Sequence, residues 1–229
     1  MTGEPREPWF QAVRWTLFPL MRVWFRWRFD GLERIPESGP AIIACNHASY
    51  LDPPANAYAV VRAHRRPRFL AKQELFRSPG IKWAMRGTHQ IPVARGSGER
   101  AASLADAEEA LAGGEVVVVY PEGTVTKRED GLPMEGKTGT VRLALSTGVP
   151  IIPMVSWGSA PVWQKSGPGS LRPGRPVWIR VGLPIDLSAR GVSASDRDGV
   201  HALTAEVMDV LTREVIALRA SYPARWAAR

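Results

Sequence analysis

EVVVVYPEGT, residues 115–124, carries the strongest strand signal in the chain: four valines in a row that stop at a Pro-Glu-Gly turn. A helix with apolar residues at helical spacing is expected just before it, over residues 99–112, stopped by Gly113-Gly114. Another is expected after it, over 137–147, stopped by Gly148. The same texture extends toward the N-terminus, with strands at 40–45 (PAIIAC), 68–72 (RFLAK) and 91–94, and helices over 53–62 and 78–86. Toward the C-terminus come strands at 150–155 and 177–181, a Gly/Pro/Ser-rich surface loop between them, and a long amphipathic helix over 200–218. Strands alternating with helices predict an α/β fold: a mainly parallel central sheet flanked by helices. No internal repeat or interdomain linker interrupts the 229 residues, which suit one large domain with at most a short appendage.

That appendage is the first thirty residues, which hold four of the nine tryptophans (Trp9, Trp15, Trp24, Trp27) with Arg14, Arg22, Arg26 and Arg28 interleaved. Their apolar residues recur at helical spacing, and Pro19 is expected to split the stretch into two short helices. An aromatic amphipathic segment of this kind suits the plane of a membrane interface, with rings at headgroup level and guanidinium groups on phosphate; packing on its own domain is the alternative. The division expected is therefore an interfacial helical segment over 1–30 and an α/β domain over 31–229. Residues 61–100 hold ten Lys/Arg against Glu74 and Glu99, so this segment carries the chain's whole excess of +8. Such a field attracts anionic lipid or phosphorylated small molecules; with no nucleic-acid-binding motif present, nucleic acid is not an expected partner. One cysteine excludes a disulfide framework and a cysteine-rich zinc site. No apolar run reaches about 18 residues, and Glu4 and Glu7 lead into no clean apolar stretch, so neither a plain transmembrane helix nor a cleaved secretory signal is expected.

Asn46, His47 and Asp52 follow the strand at 40–45 directly, and strand ends of open α/β sheets are where ligands bind. A histidine there suits a general base, and it needs a carboxylate to hold its tautomer. Five residues turn a helix by about 500°, leaving the two side chains roughly 140° apart. The pair works only if His47 lies on a loop and Asp52 opens the helix. Asp52 before Pro53 reads equally as a helix cap, and Cys45 as a buried thiol or, two residues from His47, a nucleophile. In the second stretch, Glu122, Gly123 and Thr124 read as a plain turn or as an anion- and hydroxyl-binding one. Lys137, at an expected helix start, adds a cation, and Arg95 is either a phosphate fork or one more surface arginine.

In order and spacing these pieces resemble the glycerolipid acyltransferase family, which includes the 1-acylglycerol-3-phosphate acyltransferases. The family's Asn-His-x-x-x-x-Asp block matches Asn46, His47 and Asp52; its second block ends at Arg95; its Phe-Pro-Glu-Gly-Thr block matches residues 120–124 with Tyr120 for Phe; and its Val-Pro-Ile-Ile-Pro block matches residues 149–153. The resemblance implies acyl transfer from acyl-CoA or acyl carrier protein to a hydroxyl of a lysophosphatidate-like acceptor in phospholipid synthesis. His47 is then the base and Asp52 its partner, with Asn46, Arg95, Glu122, Gly123, Thr124 and Lys137 binding substrate and no metal or cofactor required. It implies a peripheral or monotopic enzyme on an anionic membrane surface, at the cytoplasmic face of the cell membrane. Val125-Thr126 departs from the Arg-Ser that many members carry, which leaves another lysophospholipid or a glycolipid open as acceptor. From other classes, a thioester hydrolase and a non-catalytic basic membrane-binding module stay open; no G-x-S-x-G elbow supports the first.

Overall fold

The computed structural model describes residues 8–93, 97–164 and 167–227. Helix α1 (Pro8–Trp24) runs without a linker into strand β1 (Phe25–Asp30). Then come β2 (Ala41–Cys45), α2 (Asp52–Arg62), β3 (Pro67–Lys72), α3 (Lys82–Gly87), β4 (Ile91–Val93), α4 (Ser97–Ala112), β5 (Val116–Val119), α5 (Gly139–Thr147) and β6 (Ile151–Trp157). An antiparallel pair of β7 (Trp163–Gln164) and β8 (Gly167–Pro168) precedes β9 (Arg175–Val181), and α6 (Arg197–Ala220) and α7 (Ala224–Ala227) end the described chain. Seven strands form one sheet in the order β1-β9-β6-β2-β5-β3-β4. Every neighbouring pair is parallel except β6 with β9.

Alternate side chains of a strand face opposite sides of a sheet, and both sides are buried here. Ile42, Ala44, Val117 and Val119 pack with Leu111 of α4, Leu143 of α5 and Leu211 of α6. Ala41, Ile43, Cys45, Val116 and Val118 pack on the other side with Phe18 and Met21 of α1 and Ala55 and Tyr58 of α2. Burial on both faces is why β5 reads as an unbroken apolar run rather than an alternation.

Three expectations change. Pro19 lies inside one continuous α1, where Phe18 and Met21 on either side of it are buried in the core, offsetting the lost backbone hydrogen bond. Residues 25–30, expected to be helical, form a strand: FRWRFD alternates aromatic and charged side chains, and Trp27 and Phe29 stack at 5.6 Å while both meet the edge of Tyr58. The region between β6 and β9 is not all loop, since it contains the antiparallel β7–β8 pair and β9 begins at Arg175. Part of the basic segment serves the fold itself. Arg65 donates to the carbonyls of Pro36, Gly39 and Gly114, Arg68 pairs with Glu115 at 2.8 Å, and Arg62 and Arg66 lie over Phe29 and Phe10.

Candidate active site

Strand β2 ends at Cys45 and delivers His47 onto a loop, while Asp52 opens α2. This is the one local geometry that lets the two side chains meet, and Nδ1 of His47 stands 3.2 Å from Oδ2 of Asp52. Pro53 and Pro54 at the start of α2 fix the helix entry, and Leu51, not Asp52, occupies the cap position. The Asp52 carboxylate turns back instead. Its Oδ2 accepts the backbone N–H groups of Ala48 (2.6 Å) and Ser49 (2.7 Å), and its Oδ1 accepts the hydroxyls of Ser156 (3.2 Å) and Ser159 (2.5 Å). Asp52 is fully buried, so these donors replace the water that its charge would otherwise need. The His47 side chain keeps 11% of its surface exposed, and its Nε2 makes no hydrogen bond to the described residues.

The turn after β5 closes on the same loop. Glu122 is buried; its Oε1 accepts the His47 N–H at 2.8 Å and its Oε2 the Met134 N–H at 2.9 Å. Thr126 N–H donates to the His47 carbonyl at 2.7 Å, and the Tyr120 ring stacks on the imidazole with centroids 4.3 Å apart. Asn56 Nδ2 donates to the Tyr120 hydroxyl at 3.0 Å. Gly123 has φ +69°, and a Cβ there would meet the Lys137 ammonium at 2.5 Å, so only glycine lets that side chain cross the turn. Helix α5 starts at Gly139 rather than at Lys137, whose own N–H is held by the Pro121 carbonyl at 2.8 Å. Thr124 is half-buried beside them.

Burial pushes the Glu122 carboxyl up to about 7, against the pull of the N–H groups of Met134 and His47. A raised carboxyl means that the folded chain keeps a proton which the unfolded chain loses, between the ordinary 4.5 and about 7. The associated stability is therefore fully present below the lower value and is lost as pH rises through the upper one, by about 3 kcal/mol in all. Glu122→Gln removes that titration. Melting temperature measured from pH 5 to 8 should fall in the parent relative to the variant, and parallel curves would refute the assignment.

Not every expected residue faces a ligand. Asn46 is buried with its amide committed at both ends: Oδ1 accepts the Ser156 N–H at 2.8 Å and Nδ2 donates to the Ser156 carbonyl at 3.1 Å. That places Asn46 between β2 and β6 rather than in a substrate cleft. Cys45 is fully buried, and burial followed by the Asp52 charge pushes its thiol well up, opposite to what a nucleophile needs. Arg95 lies outside the described residues. A groove of about 570 Å³ reaches the site at Ala48 and runs past Val125, Thr126, Trp157 and Tyr222. Of the two cations that follow Val125-Thr126, Arg128 is forked by Asp130 at 3.0 and 2.6 Å, whereas Lys127 has no ion-pair partner among the described residues.

A family model described as Acyltransferase matches residues 26–157, more than half of the chain. The chain belongs to the acyltransferase family. Among curated acyltransferases it is similar to the 1-acyl-sn-glycerol-3-phosphate acyltransferase LPAT1, chloroplastic, of Arabidopsis thaliana, with 29% identity over 206 residues, covering 88% of this chain and 54% of that protein. It is 31% identical over 147 residues to the chloroplastic 1-acyl-sn-glycerol-3-phosphate acyltransferase BAT2 of Brassica napus, covering 63% of this chain and 41% of that one. The chain thus spans about half the length of the curated relatives it matches. Its fold matches the crystal structure of the 1-acyl-sn-glycerophosphate (LPA) acyltransferase PlsC from Thermotoga maritima with a TM-score of 0.70 and 25% identity, covering 97% of this chain and 86% of that one.

Within this acyltransferase domain, Ser156 and Ser159 are the site residues that sequence reasoning missed. They sit at and just beyond the end of β6, more than a hundred positions from Asp52, and bear no local mark of their role. Ser159→Ala removes the shorter of the two hydroxyl contacts to a buried charge, worth about 1.5–3 kcal/mol. Turnover should fall roughly tenfold or more, while Ser159→Thr, which retains the hydroxyl, should recover part of it; equal loss in both would assign the position to packing alone.

Proposed function

We propose that the chain transfers a fatty acyl group from a thioester donor, acyl-CoA or acyl carrier protein, to the hydroxyl of a lysophosphatidate-like acceptor in phospholipid synthesis. The observation that supports this reading best is the His47–Asp52 contact, with the carboxylate saturated by four further donors and the imidazole Nε2 left for substrate. In this mechanism Asp52 holds the proton on Nδ1, so Nε2 presents its lone pair. Nε2 takes the acceptor's hydroxyl proton as the oxygen attacks the thioester carbon. The C–S bond then breaks, and the imidazolium returns the proton to the leaving thiolate, so ester and free thiol form without an enzyme-bound intermediate. Lys137 beside Gly123 and Thr124, together with Arg95, would hold the acceptor's phosphate, and Lys127 supplies a cation where Val125 replaces the family arginine. Glu122 acts from behind, by fixing the His47 backbone. The test is purified protein with labelled acyl-CoA or acyl carrier protein and a panel of lysophospholipid and glycolipid acceptors. Labelled phosphatidate is expected; thiol release at the same rate without acceptor would replace transfer with hydrolysis.

The same proposal places α1 on the membrane surface. No helix of the described residues is long and apolar enough to cross a membrane. Helix α1 nevertheless exposes Trp15 (71%), Leu20 (59%) and Val23 (85%), with Trp83 of α3, the helix packed beside it, also exposed. Such an outward face on a helix whose other side is in the core suits an interfacial position. The double variant Trp15→Glu/Leu20→Glu should lose flotation with phosphatidylglycerol-containing vesicles while keeping its melting temperature. Undiminished flotation would remove α1 from the interface.

A further inference from the structure

A second basic site lies on the same edge of the sheet as His47. Strand β9 runs antiparallel to β6, so its first residue, Arg175, lies beyond the Trp157–Trp178 pair, at the end where β2 and β6 deliver the catalytic loop. A cavity of about 380 Å³ opens there, lined by Arg26, Arg172, Pro173, Gly174, Arg225 and Trp226. Its walls are held in place. Gly174 N–H donates to the Trp24 carbonyl at 2.7 Å, the Trp24 indole donates to the Leu171 carbonyl at 3.0 Å, and the Tyr222 hydroxyl donates to the Pro176 carbonyl at 2.8 Å.

The cavity lining contains three guanidinium groups and no carboxylate, and none of the three forms an ion pair among the described residues. Behind them is a fourth. Arg175 is 2% exposed, its guanidinium lies 4.9 Å from the centre of the Trp226 ring, and its Nε and Nη1 have no hydrogen-bond partner among the described residues. The Trp226 indole N–H is likewise buried without a partner among the described residues, and Arg172 sits 5.7 Å from the same ring. A buried guanidinium whose partners among the described residues are only the Tyr222 hydroxyl and the Trp226 ring is under-compensated, and gathering three more around it adds repulsion. An anion in the cavity offsets both terms. Arginine forks match the oxygens of phosphate better than those of any other common biological anion except carboxylate, and four positive charges favour the more highly charged of the two.

We propose that Arg26, Arg172 and Arg225, backed by Arg175 and Trp226, form a phosphate-binding site separate from the residues assigned to the acceptor. Trp226 lines both this cavity and the groove that reaches Ala48, the residue after His47, so the two pockets share a wall. Phosphate of that placement belongs either to a nucleotide-bearing thioester carrier or to a phospholipid headgroup. The site is read by binding, without turnover, so its failure and the failure of the acyl-transfer reading are separate results.

The experiment uses the full chain, the double variant Arg172→Gln/Arg225→Gln, and Arg190→Gln as a control remote from the cavity. Calorimetry with adenosine 3′,5′-bisphosphate forms one arm. Co-sedimentation with phosphatidylcholine vesicles, with and without phosphatidate, forms the other. The double variant should weaken binding at least about tenfold in one arm or both, with Arg190→Gln unchanged. Loss confined to the nucleotide arm assigns the site to the donor's carrier, loss confined to phosphatidate vesicles assigns it to a headgroup, and loss in both assigns it to phosphate in either setting. Unchanged binding in both arms, or equal weakening by Arg190→Gln, overturns the proposal.

Discussion

His47→Ala should lower acyl transfer about 10²–10⁴-fold and leave the protein folded. The rate effect would follow from removing the group that the proposed mechanism uses to accept the acceptor's proton. The fold survives because the loop is held through the His47 backbone, by Glu122 on its N–H and Thr126 on its carbonyl, and alanine keeps both contacts. What is lost is a ring stacked on Tyr120, a contact of about 1 kcal/mol, and the Nδ1 contact to Asp52, whose carboxylate keeps its four other donors. Turnover with saturating acceptor, read beside the circular dichroism spectrum and melting temperature, separates the two effects. A folded variant that retains a tenth of the parent activity would end the base assignment.

Asp52→Asn should cost about 10²–10³-fold in turnover, and Asp52→Ala should fail earlier, at folding. The difference lies in where the donors come from. On the Oδ2 side Asp52 meets two backbone N–H groups and the imidazole, none of which can become an acceptor while Nδ1 carries its proton. On the Oδ1 side it meets two hydroxyls, which rotate and accept as readily as they donate. An asparagine therefore fits in one orientation, oxygen toward the loop and amide toward the serines. It keeps the geometry and loses only the negative charge that, in the proposed mechanism, stabilises the imidazolium. Alanine strands the Ala48 and Ser49 N–H groups in a dry site at about 1–3 kcal/mol each. Unfolding by urea should accordingly rank parent, Asn and Ala in that order of stability. Asparagine at parental turnover would show that the carboxylate orients the ring without stabilising its charge.

The parallel sheet was legible because β5 is buried on both faces and carries a valine at every position, a pattern that no surface strand or amphipathic helix shares. The His47–Asp52 contact was legible mainly through the resemblance to the glycerolipid acyltransferases; the five-residue interval excludes one helix and merely admits a loop followed by a helix start, which Pro53 marks. Strand β1 was hidden because its two-residue alternation follows directly on α1 in a stretch whose overall composition suits an interfacial helix. Ser156 and Ser159 were hidden because their role exists only once β6 lies beside β2, and nothing in a serine's neighbours announces a distant carboxylate. Asn46 and Glu122 carry a related lesson. Polar residues next to a reactive loop suggest ligand contact, yet both are buried, and they spend their hydrogen bonds on backbone that positions the loop.

Helix α1 passes into β1 between Trp24 and Phe25 with nothing in between, and the Trp27 indole reaches back to the Met21 carbonyl at 2.9 Å. A joint built this way has no swivel. On the proposed membrane placement of α1, the domain would ride at one pitch, and the angle from which a lipid would meet the imidazole would follow from how the helix rolls about its own axis.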